Sequence, residues 1–306
     1  MNLPVVLISY NRPAYLRQVC EALRPQCSNR SVYLFQDAVS LGKRYRQAQV
    51  QNKIKVEQSI SIFKHFFPEG EISAASENLG IAFNTKRARE DTFSRHDAAV
   101  FVEDDLVLSP WYMEMMDEFN EQFAGDDALG MVNAYCGTKH GRANTLERQV
   151  ENKDKLCLME NTLAVLMWSH KYNKIKEVLY KYYDLLANDP YECRPHELIR
   201  RFWSTMGFGD LYQPVISSQD CATVYSMLLN DQIKISTHTN NLSYIGVVGH
   251  HGSQKIYDRI GWAEFAVYKE KTSGYGLTGE EKQDMLDESK VRHGMTKARG
   301  LEKVAE

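Results

Sequence analysis

Six cysteines are scattered through 306 residues (Cys20, Cys27, Cys136, Cys157, Cys193 and Cys221), with no C-x-x-C pair and no metal-finger spacing. That excludes a disulfide or zinc framework read from spacing and makes reduced, structural thiols the expectation. No Lys/Arg block exceeds three residues and the formal net charge is only -3, so a nucleic-acid-binding surface is not indicated. No apolar stretch approaches the roughly 20 residues needed to cross a bilayer, although peripheral membrane association through an exposed surface stays open. Met1-Asn2-Leu3-Pro4 runs straight into a strand-like Val5 to Ile8 without basic n-region, long apolar h-region or cleavage site. A cytoplasmic location is therefore expected. Internal repeats and low-complexity tracts are missing too, as is any convincing Ser/His/Asp or Cys/His nucleophile arrangement. What remains is an ordinary globular composition, 43% hydrophobic, enough for a sizeable core in one large domain or two small ones.

The first 110 residues alternate strand and helix patterns. Val5–Ser9 precedes a helix from about Pro13 to Leu23, and Val32–Gln36 a helix from about Arg44 to Phe66. Glu71–Ala75 then precedes a helix from about Ile81 to Phe93, and Ala98–Glu103 closes the series. This order predicts a parallel sheet with crossover helices. Small ligands bind beyond the carboxyl ends of such strands. The polar signatures fall at those ends: Ser9-Tyr10-Asn11-Arg12, Gln36-Asp37, Glu77-Asn78-Leu79-Gly80 and Glu103-Asp104-Asp105.

Glu103-Asp104-Asp105 closes a buried-strand pattern with three mutually repelling carboxylates, which calls for a cation. Mg²⁺ or Mn²⁺ carrying a pyrophosphate would serve, being typically held by one or two carboxylates with phosphate oxygens and waters. A solvated strand end leading into a turn, with Ser109-Pro110 as N-cap and first residue of the next helix, fits the triplet equally well.

Downstream, a helix over Pro110–Phe123 and a strand over Gly130–Ala134 precede a polar stretch, Gly137 to Asp154, that reads as a loop. Leu163–Trp168 reads as a strand, followed by a Ser169-capped helix with Tyr172, Ile175, Val178, Leu179, Tyr182 and Leu186 on one core-facing side. A helix from about His196 to Met206, a Gly207–Pro214 connection and a helix opening near Ser218-Gln219-Asp220 come next. β-like sequence from Ile233 reaches Gly246-Val247-Val248-Gly249-His250-His251-Gly252, and the segment from about Glu280 reads as a charged surface helix pair or tail.

Ile8-Ser9-Tyr10-Asn11-Arg12, Phe35-Gln36-Asp37, Glu77-Asn78-Leu79-Gly80, Val102-Glu103-Asp104-Asp105-Leu106 and Ser218-Gln219-Asp220 together resemble a GT-A glycosyltransferase. The pattern is most similar to the inverting N-acetylglucosaminyltransferase I and O-mannose N-acetylglucosaminyltransferase type, over residues 3 to 252. The resemblance implies an α/β, Rossmann-like single large domain with a mixed, mainly parallel sheet flanked by helices. Residues 1–110 would form the nucleotide-sugar half, 111–255 the acceptor and catalytic half, and 256–306 an extension. It also implies a nucleotide-sugar donor, UDP-linked by preference, a glycan or glycoconjugate acceptor, and Mn²⁺ or Mg²⁺.

Carried over residue by residue, Asp105 would be the metal ligand, with Asp104 and Glu103 by the ribose and the transferred sugar. Adjacent strand residues alternate faces, which fits this division. Arg12 would face the nucleotide, and Asp37 would accept from the uracil N–H. Asp220 would be the base, kept ionised by the helix dipole. Satisfying helix N-terminal amides is its mundane alternative. His251, or its neighbour His250, is a candidate further metal ligand or pyrophosphate contact. Where the family carries an Ile-Ala-Arg-His-type run, this chain has Ile81-Ala82-Phe83-Asn84, which leaves base preference open. Two rivals stay in view. A sugar-nucleotide-forming nucleotidyltransferase should carry a Gly-rich basic loop after its first strand, which Ser9–Pro13 does not supply. A non-catalytic sugar-nucleotide-binding protein should lack the base.

Overall fold

The computed structural model describes residues 2–39, 46–139, 142–143, 145–159, 162–186, 194–209, 218–247, 254–260, 262 and 265–295. In chain order the amino-terminal elements are β1 (Val5–Ser9), α1 (Pro13–Leu23), β2 (Val32–Gln36), α2 (Arg46–Phe66), β3 (Glu71–Ala74), α3 (Gly80–Phe93) and β4 (Ala98–Glu103). Next come β5 (Leu106–Leu108), α4 (Tyr112–Phe123), β6 (Leu129–Asn133), β7 (Thr138–Lys139), β8 (Arg142–Ala143), α5 (Leu146–Glu151), β9 (Leu156–Leu158) and β10 (Val165–Trp168). The remainder is α6 (Ser169–Leu186), α7 (His196–Thr205), α8 (Gln219–Leu228), β11 (Ile233–Thr237), β12 (Leu242–Tyr244), α9 (Gln254–Ile260) and α10 (Gly279–Arg292).

Eight strands form one sheet in the order β3-β2-β1-β4-β10-β6-β11-β9. β3, β2, β1 and β4 pair in parallel, β10 runs against both β4 and β6, β11 is parallel to β6, and β9 reverses again. The sheet is therefore mixed but mainly parallel, with the carboxyl ends of β1, β2, β3, β4, β6 and β11 on one edge. Every residue of β1, β2, β6 and β11 is buried, so helices must cover both faces. Edge strand β3, only four residues long, carries an exposed Glu71, a feature that discourages edge-to-edge pairing. The ladder is continuous across residue 110, because β10 sits directly beside β4 and β6 beside β10.

Helical packing follows the apolar spacing. α1 buries Leu16, Val19, Cys20 and Leu23, and α6 buries Tyr172, Ile175, Leu179, Tyr182, Tyr183 and Leu186. Tyr172 and Tyr182 are core residues, as their spacing suggested, and Tyr183 joins them: Tyr172 packs on Phe93 at 5.4 Å and Tyr183 on Phe83 at 5.6 Å between ring centroids.

Several local expectations need correction. The stretch read as a loop from Gly137 to Asp154 contains β7, β8 and the helix α5. α5 is too short, and its Leu146 and Val150 too exposed, to leave a periodic signal. Ser109-Pro110 forms the turn before α4 rather than its cap, and Ser169 directs its hydroxyl to the Phe93 carbonyl. Of the charged carboxyl-terminal segment, described as far as residue 295, the surface helix α10 also packs on α8, β9 and β11, burying Leu286, and Met295 bridges to Phe208.

Candidate active site

The turn from β1 into α1 folds onto the acids that follow β4. Pro13 opens α1, and the Arg12 carbonyl receives the Tyr15 and Leu16 N–H groups. The Arg12 side chain is thereby left to turn toward the sheet edge. Its guanidinium forks, donating to Asp104 Oδ1 and to Asp105 Oδ2, both at 2.5 Å. Burial lowers the Arg12 pKa, but the charges of Asp104, Asp105 and Glu103 outweigh burial and leave it raised. The cation that the triplet calls for is thus present as a side chain.

The three acids diverge in environment. Asp104 is 1% exposed, and its other oxygen accepts from the Ser9 hydroxyl at 3.0 Å and the Tyr10 N–H at 3.1 Å. It ties the β1 turn to β4. Asp105 is also buried, but its Oδ1 has no partner. Burial pushes the Asp105 carboxyl up, Arg12 opposing. Glu103 is half-buried and its pKa is raised by burial first, then by the charges of Asp105 and Asp220.

That last effect couples a residue from the far half of the chain electrostatically to the acids. Asp220 stands in the first turn of α8, beyond the sheet positions of β10 and β6 in the sequence but within electrostatic reach of Glu103. The N-cap role belongs to Ser218, whose Oγ accepts from the Cys221 N–H at 3.1 Å. Among the described residues no hydrogen bond occupies the Asp220 carboxylate. Burial raises its pKa, with Arg89 and Lys234 pulling the other way. Arg89 is held nearby by α8 itself, donating to Thr223 Oγ1 at 3.1 Å.

Asp37 lies at the carboxyl end of β2 but is turned into the wall. One oxygen accepts from the Ala38 and Leu79 N–H groups at 2.8 Å each, and the other from Gly80 N–H at 2.9 Å and Asn78 Nδ2 at 3.1 Å. Gly80 reaches this position at φ +67°, a conformation that favours glycine. Burial raises the Asp37 pKa and these N–H groups lower it. Asn84, in the run that departs from the family pattern, is buried and donates to the Phe35 carbonyl at 3.1 Å. It ties α3 to β2.

The other wall is built by β12 and the chain that follows it. β12 pairs with β5, and the Ile245 N–H donates to the Asp105 carbonyl at 2.9 Å. The chain passes so close that a Cβ on Gly246 would lie 2.3 Å from Asp105 Oδ2 and 2.5 Å from the Tyr244 hydroxyl. Tyr244 meets Trp262 edge-on at 4.4 Å and stacks toward Tyr257 at 6.2 Å, making an aromatic cluster beside the acids. No spacing or motif announces these three rings. His250 and His251 lie outside the described residues. Asp231 pairs with Lys290 at 2.6 Å in the turn that enters β11 at its amino end, opposite the ligand edge. The surface depression formed by Pro195, His196, Glu197, Leu198 and Arg201 includes none of the acids.

No family model matches the sequence, and no curated protein matches it. Among solved structures, the chain is similar to residues 1–349 of S. aureus TarS, with TM-score 0.41 and 12% identity over 75% of this chain and 71% of that one. It is also similar to the galactosyltransferase LgtC bound to donor and acceptor sugar analogs, with TM-score 0.31 and 10% identity over 88% and 98%. A third similarity is to the apo form of the glycosyltransferase GlyE from Streptococcus pneumoniae TIGR4, with TM-score 0.34 and 13% identity over 96% and 64%.

Proposed function

We propose that this chain is a metal-dependent inverting glycosyltransferase. It would move a sugar from a nucleoside diphosphate sugar, UDP-linked by preference, to a hydroxyl of a glycan or glycoconjugate acceptor. The observation that carries the reading is the buried acid cluster at the carboxyl end of β4, where Arg12 bridges Asp104 and Asp105 and Asp105 Oδ1 is left without a partner, with Asp220 of α8 within electrostatic reach of Glu103.

A divalent cation fits the residues present, because Asp105 Oδ1 is a buried carboxylate oxygen with no partner and hard cations take oxygen ligands. Mn²⁺ or Mg²⁺ held there by Asp105, with His251 as the second ligand of the proposal, would offset the charge that develops on the leaving diphosphate. Arg12 donates only two of its five N–H groups to Asp104 and Asp105, so it can also turn a donor toward a phosphate. Asp104 holds the β1 turn in place beside the ribose position. Asp37 positions the 78–80 turn, and a direct contact with uracil requires one of its four N–H donors to give way. Tyr244, Trp262 and Tyr257 offer ring faces for stacking a base or sugar.

Asp220 accepts the acceptor hydroxyl proton as the new oxygen–carbon bond forms at the anomeric carbon and the bond to the diphosphate oxygen breaks on the opposite face. Its raised pKa makes it a stronger base than an ordinary aspartate. Glu103, pushed toward its protonated form, can donate to a sugar hydroxyl. The enzyme would work in the cytoplasm, with peripheral membrane association left to the acceptor. Nucleotide release from a panel of sugar nucleotides, with and without Mn²⁺, tests the reading. Release that depends on Mn²⁺ and is lost in Asp220→Asn supports it. Thermal stabilisation by UDP and Mn²⁺ with no turnover on any acceptor would instead mark a sugar-nucleotide-binding protein.

A further inference from the structure

A second cluster on the carboxyl edge of the sheet takes no part in the chemistry above. Cys136 follows β6 by three residues, Cys157 is the middle residue of β9, and His238 directly follows β11. The sequence separates them by tens of residues. Because β6, β11 and β9 are neighbours, the fold brings their ligand atoms within 4.8 Å of one another. We propose that Cys136, Cys157 and His238 form a zinc-binding site.

Three atoms so placed have a common centre no more than about 2.8 Å from each, and zinc bonds of about 2.3 Å to sulfur and 2.0–2.1 Å to nitrogen are reached by a contraction of a few tenths of an ångström. Two thiols and an imidazole suit zinc, a borderline-soft ion, and disfavour Mg²⁺ or Mn²⁺, which prefer oxygen. Binding displaces the two thiol protons, and Cys157 gives up its weak bond to the Thr237 carbonyl, now 3.8 Å long. A water completes the tetrahedron. Cys136 and His238 are buried, whereas half-buried Cys157 leaves an approach from solvent.

The supporting frame is rigid, as a metal site requires. Tyr135 N–H donates to Ser236 Oγ at 3.0 Å, fixing the chain before Cys136. His238 is flanked by a buried polar knot in which Thr237 Oγ1 donates to the Thr239 carbonyl at 2.7 Å and Asn241 Nδ2 to Thr239 Oγ1 at 2.9 Å. Its own N–H reaches the Lys155 carbonyl at 3.3 Å, next to β9. This inference stands apart from the proposed transferase activity.

The test is metal analysis of the full chain after exposure to zinc and desalting, together with Co²⁺ substitution. We expect about one zinc per chain and thiolate-to-cobalt charge-transfer absorption, both lost in Cys136→Ser/Cys157→Ser and retained in Asp105→Ala. Because the double variant could misfold, alkylation of the wild-type chain supplies a second readout: zinc should protect Cys136 and Cys157 and leave the reactivity of Cys20 and Cys27 unchanged. Absence of stoichiometric zinc and of the cobalt band, zinc retention by the double variant, or a Cys136–Cys157 disulfide in peptide mass mapping would overturn the proposal.

Discussion

Arg12 fills a role that charge alone demands. Three consecutive carboxylates at a strand end cannot all ionise without a neighbouring cation, and the guanidinium bridges Asp104 and Asp105. Removing it leaves two buried acids without their partner. Breaking a buried pair costs about 3–5 kcal/mol, and because Arg12 is partly exposed we expect Arg12→Ala to lose less, about 2 kcal/mol by urea unfolding. Mn²⁺ should raise the Tm of this variant more than that of the wild type, since the ion no longer shares Asp105 with the guanidinium. Equal gains would show that cation and side chain do not compete. At Asp220, Asp220→Asn should keep UDP affinity while transfer falls by about 10²–10⁴-fold. In the wild type the acid limb of kcat/KM should lie above the ordinary aspartate range near pH 4, because burial raises the Asp220 pKa and only the ionised form accepts a proton. A limb at or below pH 4, or full transfer by the amide variant, would remove Asp220 from the base role.

At the scale of elements, capping decides what side chains are free to do. Ser218 caps α8, so Asp220 is not spent on backbone amides; Asp37 serves the start of α3 and is largely consumed by it. The β12 turn presses on Asp105. Gly246→Ala would drive a methyl into Asp105 Oδ2 and the Tyr244 hydroxyl, and an overpacking cost of about 1–3 kcal/mol should appear as at least about fivefold weaker binding of UDP with Mn²⁺. Unchanged affinity would place that turn away from the donor. On α6, Lys171 is fully buried, donates to the Phe123 carbonyl at 2.7 Å and sits over the Trp168 ring. Burial lowers its pKa to about 8, so the fold favours the neutral amine. Its contribution to stability is present above pH 10.5 and is lost as pH falls through 8. Relative to Lys171→Met, the wild type should gain about 3 kcal/mol between those limits in urea unfolding. A pH-independent difference would show that the amine is not desolvated.

Across the whole molecule, the sequence made the ligand edge legible because strands β1, β2 and β4 each end in polar residues after an apolar run, and the parallel order puts those ends together. The place of Asp220 in the first turn of a helix was legible from Ser218 before it, whereas its role as base came only from the resemblance. What stayed hidden depended on contacts between distant segments. The reach of Arg12 back to Asp104 and Asp105, the capture of Asp37 by Leu79 and Gly80, and the Tyr244, Tyr257 and Trp262 wall leave no periodic trace. Short elements failed for a related reason: β5 and β12, three residues each, are recognisable only as a pair. Cys136, Cys157 and His238 show the same limit, since a spacing rule cannot see three neighbouring strands.

The idea on which the transferase reading turns is that Asp105 recruits a cation to a nucleoside diphosphate. Calorimetric titration of UDP into the wild type and into Asp105→Ala, each with and without Mn²⁺, addresses it directly. We expect Mn²⁺ to tighten UDP binding at least about tenfold in the wild type, some 1.4 kcal/mol, and to do nothing for Asp105→Ala. Equal UDP affinity of the two proteins in Mn²⁺, or no UDP binding by the wild type, would contradict it.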